Sequence, residues 1–384
     1  MAAPAEFHFP CANCGADLRY APGQTELVCE HCGHVQAIPA APAHSRQRAL
    51  AELDLARGLA EDLDSDAMVD IRTTSCPSCG AQVEFDGVTY ARECPFCATP
   101  VVTDTGTQRH IKPQAVLPFV LTEDQARSEM TKWLGSLWFA PSALVEYARK
   151  GRALAGIYVP FWTYDADTRS AYTGQRGEHY YETRSVSVMV NGRRETRQEQ
   201  VQKTRWYSAS GRVARDFDDV LVMASKSLPA RLGNDLTPWD LTALQPYAPD
   251  YLAGFSAEGY TVPLADGYQM AQAQMNSVIQ QDVMRDIGGD VQRIDSLNSG
   301  YSNETFKHVL LPVWMAAYKY NGKSYRFLVN GQTGEVQGER PYSIWKIAFA
   351  VLVALIVVAV LVYLNDPQAF DALTGGASIP EWMD

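Results

Sequence analysis

The sequence predicts an α+β protein with two cysteine-rich modules at its N-terminus, a body centred on an antiparallel sheet, and one C-terminal transmembrane helix. Three observations predict it. All eight cysteines fall in C-x-x-C pairs, β-type runs are punctuated by Asn-Gly, and eighteen residues from Ile347 to Leu364 carry no charge.

The cysteines come first. Cys11-x2-Cys14-x14-Cys29-x2-Cys32 returns 65 residues later as Cys76-x2-Cys79-x14-Cys94-x2-Cys97. The duplication extends past the thiols, since Gly15 matches Gly80, Leu18 matches Val83 and Tyr20 matches Phe85. Two thiolates two residues apart can turn toward one ion from a tight loop, and a following glycine tolerates the backbone angles that loop needs. Two such knuckles complete a tetrahedral site. The spacing therefore predicts zinc ribbons at 1–36 and 71–106, each holding one structural Zn²⁺, two ions in all. Ala98 stands where the second module's knuckle would ordinarily carry Gly. Modules this small gain much of their folding free energy from the metal, on the order of 10 kcal/mol.

Paired disulfides would suit a secreted chain, and a redox C-x-x-C sits in a βαβ pattern. Met1 to Pro10 carries Glu6 and His8 and has no apolar run, so it does not read as a secretory signal. Reduced thiols in the cytoplasm are the expectation. Four thiolates leave no coordination position for water, which argues against catalytic zinc, and His31 and His34 read as exposed loop residues beside the ligands.

Charge selects among the ways ribbons are used. The formal net charge is −11, and residues 1–106 contain six Arg and no Lys against fifteen Asp and Glu. That is a poor surface for phosphates. A protein partner is expected for the ribbons, and nucleic acid is disfavoured.

Between the ribbons, residues 37–70 read as a Pro/Ala-rich linker, Ala37 to Ala43, followed by a helix from Ser45 to Leu63 with Leu50, Leu53, Leu59 and Leu63 near one face. The body spans 107–340. Thr122 and Gln125 form a capping box before a helix whose apolar stripe is Ala126, Met130, Trp133, Leu134, Leu137 and Trp138. Pro141 stops it, and Ser142 begins a short second helix ending near Gly151. From Ile157 the chain is β-rich, and Asn191-Gly192, Asn321-Gly322 and Asn330-Gly331 each predict a tight hairpin. Tyr158-Val159-Pro160-Phe161-Trp162 is echoed by Leu311-Pro312-Val313-Trp314, and the prolines suggest edge strands with buried Trp. A helix from Tyr268 to Ile287 ends at Gly288-Gly289.

The stretch from Arg184 to Arg215 is rich in Arg and poor in Glu. Two readings apply: an edge hairpin kept soluble by charge, or a patch for anionic lipid or an acidic partner. The first is the commoner use of such charge. Residues 344–364 read as the membrane segment: the uncharged run Ile347 to Leu364, with Tyr363 near its end, makes about 27 Å of helix, and Ile344 and Trp345 add apolar flank toward the thickness of a bilayer's hydrocarbon. Arg340 and Lys346 precede the uncharged run, and 365–384 carries four acidic residues with no Lys or Arg. The positive-inside rule leaves the body in the cytoplasm and the short tail outside, in a single-pass cell-membrane protein.

No catalytic motif is found. Gly322-Lys323-Ser324 has Ala317 where a phosphate-cradling loop needs its first Gly. His110, His179 and His308 sit in no nucleophile or metal pattern; Asp165 and Asp167 near Trp162 have two readings, paired carboxylates or solvated turn residues at a strand end, and the second is the commoner. A non-enzymatic chain is expected.

Taken together, the Cys-x2-Cys pairs, Lys112 to Phe119, Trp138 to Ser142, Gly156 to Trp162 and Asn330 to Gly334 resemble a bacterial family of membrane-anchored double zinc-ribbon proteins. Its members are labelled as transcription-factor-B-type zinc-ribbon proteins or as primosomal helicase-like; the helicase label finds no support in these residues. The resemblance implies work beside membrane-stress or membrane-organising proteins of the phage-shock and SPFH types. The function expected is a membrane-anchored adaptor or scaffold presenting a cytoplasmic interaction module. The alternative is a membrane-tethered, nucleic-acid-associated ribbon factor without helicase activity.

Overall fold

The computed structural model describes residues 9–39, 42, 46–47, 50–76, 82–84, 91–93, 100–102, 107–139, 154–190, 193–320, 323–339 and 343–365. The expected helix at 142–151, the Asn191-Gly192 and Asn321-Gly322 turns, the ligands Cys79, Cys94 and Cys97, and the tail beyond Asn365 lie outside them.

The first module is a three-stranded antiparallel sheet of β1 (Leu18–Tyr20), β2 (Glu26–Cys29) and β3 (Val35–Ala37). Alternation places Leu18, Tyr20, Leu27 and Cys29 on buried positions.

Of the helix expected from Ser45 to Leu63, Arg46 and Gln47 are helical, but it does not run through to Leu63. Its middle is instead a two-residue strand, β4 (Leu53–Asp54), followed by a helix of only five residues, α1 (Leu55–Leu59). Two contacts override the helical pattern. Leu53 and Asp54 pair with Phe306 and Thr305 of a body strand, and the Asp54 carboxylate accepts the N–H of Arg57 at 2.8 Å, starting a new helix at that point. Leu55 is then buried, and Gly58 lies so close to Phe306 that a Cβ would meet its ring at 2.6 Å.

In the second module β5 (Met68–Ser75) pairs antiparallel with β6 (Gln82–Glu84) and, at its other end, with β9 (Thr107–Ile111), while β7 (Ala91–Glu93) pairs with β8 (Pro100–Val102).

The body begins with β10 (Ala115–Val116) and α2 (Glu123–Ser136). The capping box forms as expected: the Thr122 hydroxyl accepts from Gln125 N, and the Gln125 side chain accepts from Thr122 N. Ala126, Met130 and Leu134 are buried, but Trp138 lies past the helix end and is 70% exposed, so it leaves the predicted stripe.

Three strands of unusual length follow: β11 (Ala155–Val190, 36 residues), β12 (Arg193–Met223, 31 residues) and β15 (Val291–Tyr320, 30 residues). Between the second and third come α3 (Ala230–Asn234), β13 (Gln245–Pro246), β14 (Ser256–Ala257) and α4 (Leu264–Ile287). β16 (Lys323–Asn330) and β17 (Val336–Gly338) close the sheet, whose order is β12-β11-β15-β10-β13 with β16 beside β15. The long pairings are antiparallel, as expected; β10 with β15 and β11 with β14 are short parallel links.

The two Pro-aromatic echoes are neighbours at the centre of this sheet, not edge strands: Tyr158 pairs with Pro312 and Trp162 with His308. Each proline gives up only its missing donor, because the Pro160 carbonyl accepts from Ala224 N and the Pro312 carbonyl from Gly331 N. The third Asn-Gly does lie in an antiparallel hairpin, between β16 and β17, but its turn is longer than two residues. Asn330 ends β16, and the chain turns back through Gly334 at φ +82°.

α4 lies along the ribbon of β11, β12 and β15. Leu264, Ala271, Met275, Ile279, Val283 and Ile287 recur at helical spacing and are all buried. Gly267 lets the helix approach closely, since a Cβ there would sit 2.5 Å from the Tyr164 hydroxyl. Gly288, at φ +67°, ends it as predicted.

The last element is α5 (Ile344–Asn365), 22 residues long. The unbroken run of described side chains in it is 345–361. Within that limit no helix is long and apolar enough to cross a membrane, although the helical backbone continues to Asn365.

Candidate metal centre

The four thiols of the first ribbon converge. Their sulfurs lie within 4.8 Å of one another, with Cys11 Sγ 3.6 Å from Cys32 Sγ and Cys14 Sγ 3.5 Å from Cys29 Sγ. A tetrahedral ion with metal–sulfur bonds of about 2.3 Å sets sulfurs about 3.8 Å apart. The donor set therefore fits a thiophilic metal ion such as zinc with only a slight expansion.

Two local turns of identical design build the cluster. Gly15 N donates to the Cys11 carbonyl and Gly33 N to the Cys29 carbonyl, both at 2.9 Å, and the two glycines have φ of +74° and +72°. This is the left-handed conformation that the glycine after each pair predicts. The Asn13 amide points at Cys32 Sγ from 3.6 Å. Cys32 is lowered to about 6 by the N–H of His34 and then by Asn13. Cys14 goes the other way, up to about 12: the N–H of Ala16 favours its thiolate, but the thiols of Cys32 and Cys29 outweigh it by keeping a proton there. A dication would resolve this crowding of four acids by replacing their protons. Neither His31 nor His34 joins the cluster.

This ribbon is not a free module. Cys11 and Cys29 are buried in one apolar cluster with Val116, Phe119, Tyr158 and Trp314. Tyr20 meets Tyr251 edge-on at 5.5 Å, its N–H donates to the Ala253 carbonyl at 3.0 Å, and Gly23 N donates to the Phe119 carbonyl at 2.9 Å. Cys14 and Cys32 face outward.

Of the second ribbon's predicted ligands, Cys76 is described and is buried, at 2% exposure. Its three companions fall outside the described residues, so one four-thiol site is on view.

Sequence reasoning missed a second cluster. Carboxylate oxygens of Glu52, Asp165 and Asp218 lie within 4.8 Å of one another, beside the Lys307 ammonium, which is 3.0 Å from both Glu52 and Asp219. Lys307 supplies the cation this cluster calls for. Asp165 and Asp167 are mid-strand residues at bulges in β11, not turn residues. The Asp165 carboxylate accepts from Asp219 N at 2.6 Å. Nothing short of the tertiary pairing of Glu52 with the body could have revealed the group.

His308 is buried against Trp162, and its Nδ1 faces the Ile111 carbonyl at 2.8 Å. Burial lowers it to about 4, so it is neutral at physiological pH. A cavity of about 630 Å³ opens between α3, α4 and the end of β12, lined by Met223, Leu228, Val262 and Met270 with Lys226 and Asp266.

No family model matches the chain, and no solved structure matches it. It is similar to the uncharacterized protein YdjG of Bacillus subtilis (strain 168), with 25% identity over 345 residues, 88% of this chain and 92% of that protein.

Proposed function

We propose that the chain is a single-pass membrane-anchored adaptor whose cytoplasmic body carries two structural Zn²⁺ ions and presents its ribbons to a protein partner. The observation that carries this reading is the surface of α5. Phe349, Val351, Leu352, Leu355, Ile356, Val358 and Leu361 are each more than half exposed, and they cover every side of the helix. An apolar helix with no polar face and, among the described residues, no protein packed on that surface calls for lipid as its solvent. Its 22 residues give about 33 Å of length, enough for a bilayer core of about 30 Å.

The first ribbon supports the zinc assignment through its donor set, and the repeated spacing extends it to Cys76, Cys79, Cys94 and Cys97. Since four thiolates close the coordination sphere, the metal's part is structural. The outward rim of Cys14, Asn13 and His31 is then free to contact a partner. By resemblance, proteins of the SPFH or phage-shock type fit that role. The nucleic-acid reading receives less support, because bases in the Arg-rich stretch are answered by acids: Lys203 pairs with Glu182, and Arg215 with Asp282.

The test has two parts. Elemental analysis of purified protein should find two zinc ions per chain, and the protein should remain with membranes after a high-salt wash. Affinity capture from mild detergent should then recover a protein partner that Asn13→Ala/His31→Ala, which spares the ligands, no longer recovers. Absence of zinc, release by salt, or capture unchanged by the double substitution would sink the corresponding part.

A further inference from the structure

Beyond Gly177 the ribbon loses its third strand, because β15 begins at Val291, opposite that residue. β11 and β12 continue alone, paired from Glu178 with Arg205 to Val190 with Arg193. At the rise of a β-strand this makes an arm about 40 Å long. Among its described side chains none is buried.

A free strand edge is a template for another strand. Among the described residues β12 has β11 on one side and no strand on the other. The newly opened edge of β11 is obstructed where it starts, since the Asp290 carboxylate accepts the N–H of His179 at 2.6 Å. The edge that is open along the whole arm is that of β12.

Read as one half of an antiparallel pair, β12 complements itself about Gln202. A two-fold axis at that residue sets Glu199 opposite Arg205, Gln200 opposite Thr204, Val201 opposite Lys203 and Arg197 opposite Tyr207. Axes at Gln200, Val201 or Thr204 would each oppose two cations instead. Existing pairs extend the match, because within the arm Glu178 already lies across from Arg205 and Arg184 from Glu199. The four-stranded sheet would carry a ladder of alternating sign: Glu178 and Arg205 of one copy, then Glu199 and Arg184 of the other. Cross-strand pairs of opposite charge stabilise a sheet, and like charges oppose it. Edge charges that guard against promiscuous pairing thus permit this register.

We propose that the arm is a self-association surface, on which β12 pairs antiparallel with β12 of a second copy of this chain about Gln202. The membrane anchor and the ribbons take no part in this contact.

The experiment is the mass of the full-length protein in mild detergent, measured by analytical ultracentrifugation over a concentration series. Wild type should be a dimer. Glu199→Arg and Arg205→Glu should each raise the dissociation constant at least about tenfold by setting like charges face to face twice. The double variant should restore the dimer. Inside each arm it leaves Arg184 facing an arginine and Glu178 facing a glutamate, so its rescue reads contact between copies and not stability of the arm. A monomeric wild type, a Glu199→Arg protein that dimerises like wild type, or a double variant that stays monomeric would each overturn the proposal.

Discussion

The Lys307 ammonium lies 3.0 Å from the Glu52 carboxylate across 255 positions of sequence, and its side chain is only 10% exposed. This contact joins the segment between the two cysteine-rich modules to a central strand of the body. Lys307→Met removes the cation and leaves Glu52 and Asp219 facing each other without it. Loss of a buried partner of this kind costs 3–5 kcal/mol where both ions are fully enclosed. With Glu52 and Asp219 31% and 25% exposed, a loss of about 2 kcal/mol is expected in urea unfolding.

The same cluster makes stability depend on pH. Burial, and then the Glu52 carboxylate, push Asp165 up to about 7, while hydrogen bonding to Asp165 holds Glu52 down at about 2. For Asp165 the folded state binds the proton more tightly than the unfolded chain. Its contribution is therefore largest near pH 4 and is lost as pH rises to 7. Glu52 has the opposite sign and gains between about pH 2 and 4.5. Asp165→Asn should flatten the decline between pH 4.5 and 7 in a series of thermal melts. An unchanged slope would show that the proton is not held there.

Asn330 predicts a large local effect. It is fully buried; its amide donates to the Leu236 and Pro238 carbonyls at 3.0 Å, and its carbonyl accepts from Gln332 N and Thr333 N. Asn330→Ala strips four backbone groups of their partner at once. At about 1–3 kcal/mol for each unsatisfied buried group, partly relieved by entering water, a loss of at least about 3 kcal/mol is expected. Asp at this position keeps the two acceptor bonds and should recover part of it.

Metal removal should be felt far from the sulfurs. Because Leu18, Tyr20 and Leu27 pack with Phe119, Tyr158 and Trp314, Cys29→Ser or a strong chelator should lower the melting temperature of the body and shift the fluorescence of Trp314. Trp314 donates to the Leu121 carbonyl at 2.9 Å beside that docking face. A body that melts as before would show the ribbon to be an independent unit.

Features specified by neighbouring residues were legible in the sequence. Both glycines after the cysteine pairs, the Thr122 and Gln125 box and the Gly288 stop take the geometry that their local chemistry predicts. What stayed hidden depends on partners far along the chain. Leu50 to Leu63 repeats like a helix, yet Thr305 and Phe306 offer Leu53 and Asp54 a strand to join, and pairing prevails over propensity. Pro160 and Pro312 suggested sheet edges because a proline lacks one donor, while the carbonyls that still accept from Ala224 and Gly331 are invisible in one dimension. Asn330 was read as half of a tight turn. Its side chain, placed to satisfy four backbone groups, turns the chain over a longer path.

The position of β15 sets an order on how the molecule comes together during synthesis. This strand pairs with β11, β10, β4 and β16, yet it leaves the ribosome only after Asp290, when both cysteine-rich modules and the whole arm have already emerged. Cys11 to Cys32 needs no later residue to close around an ion, whereas Tyr20 must wait for Tyr251 before it has a surface to rest on. Capture of an ion by these thiols would thus be an early, local event and assembly of the core a late one. Without metal the first module would be unclosed as well as uncovered throughout that interval, when a nascent chain is most open to aggregation.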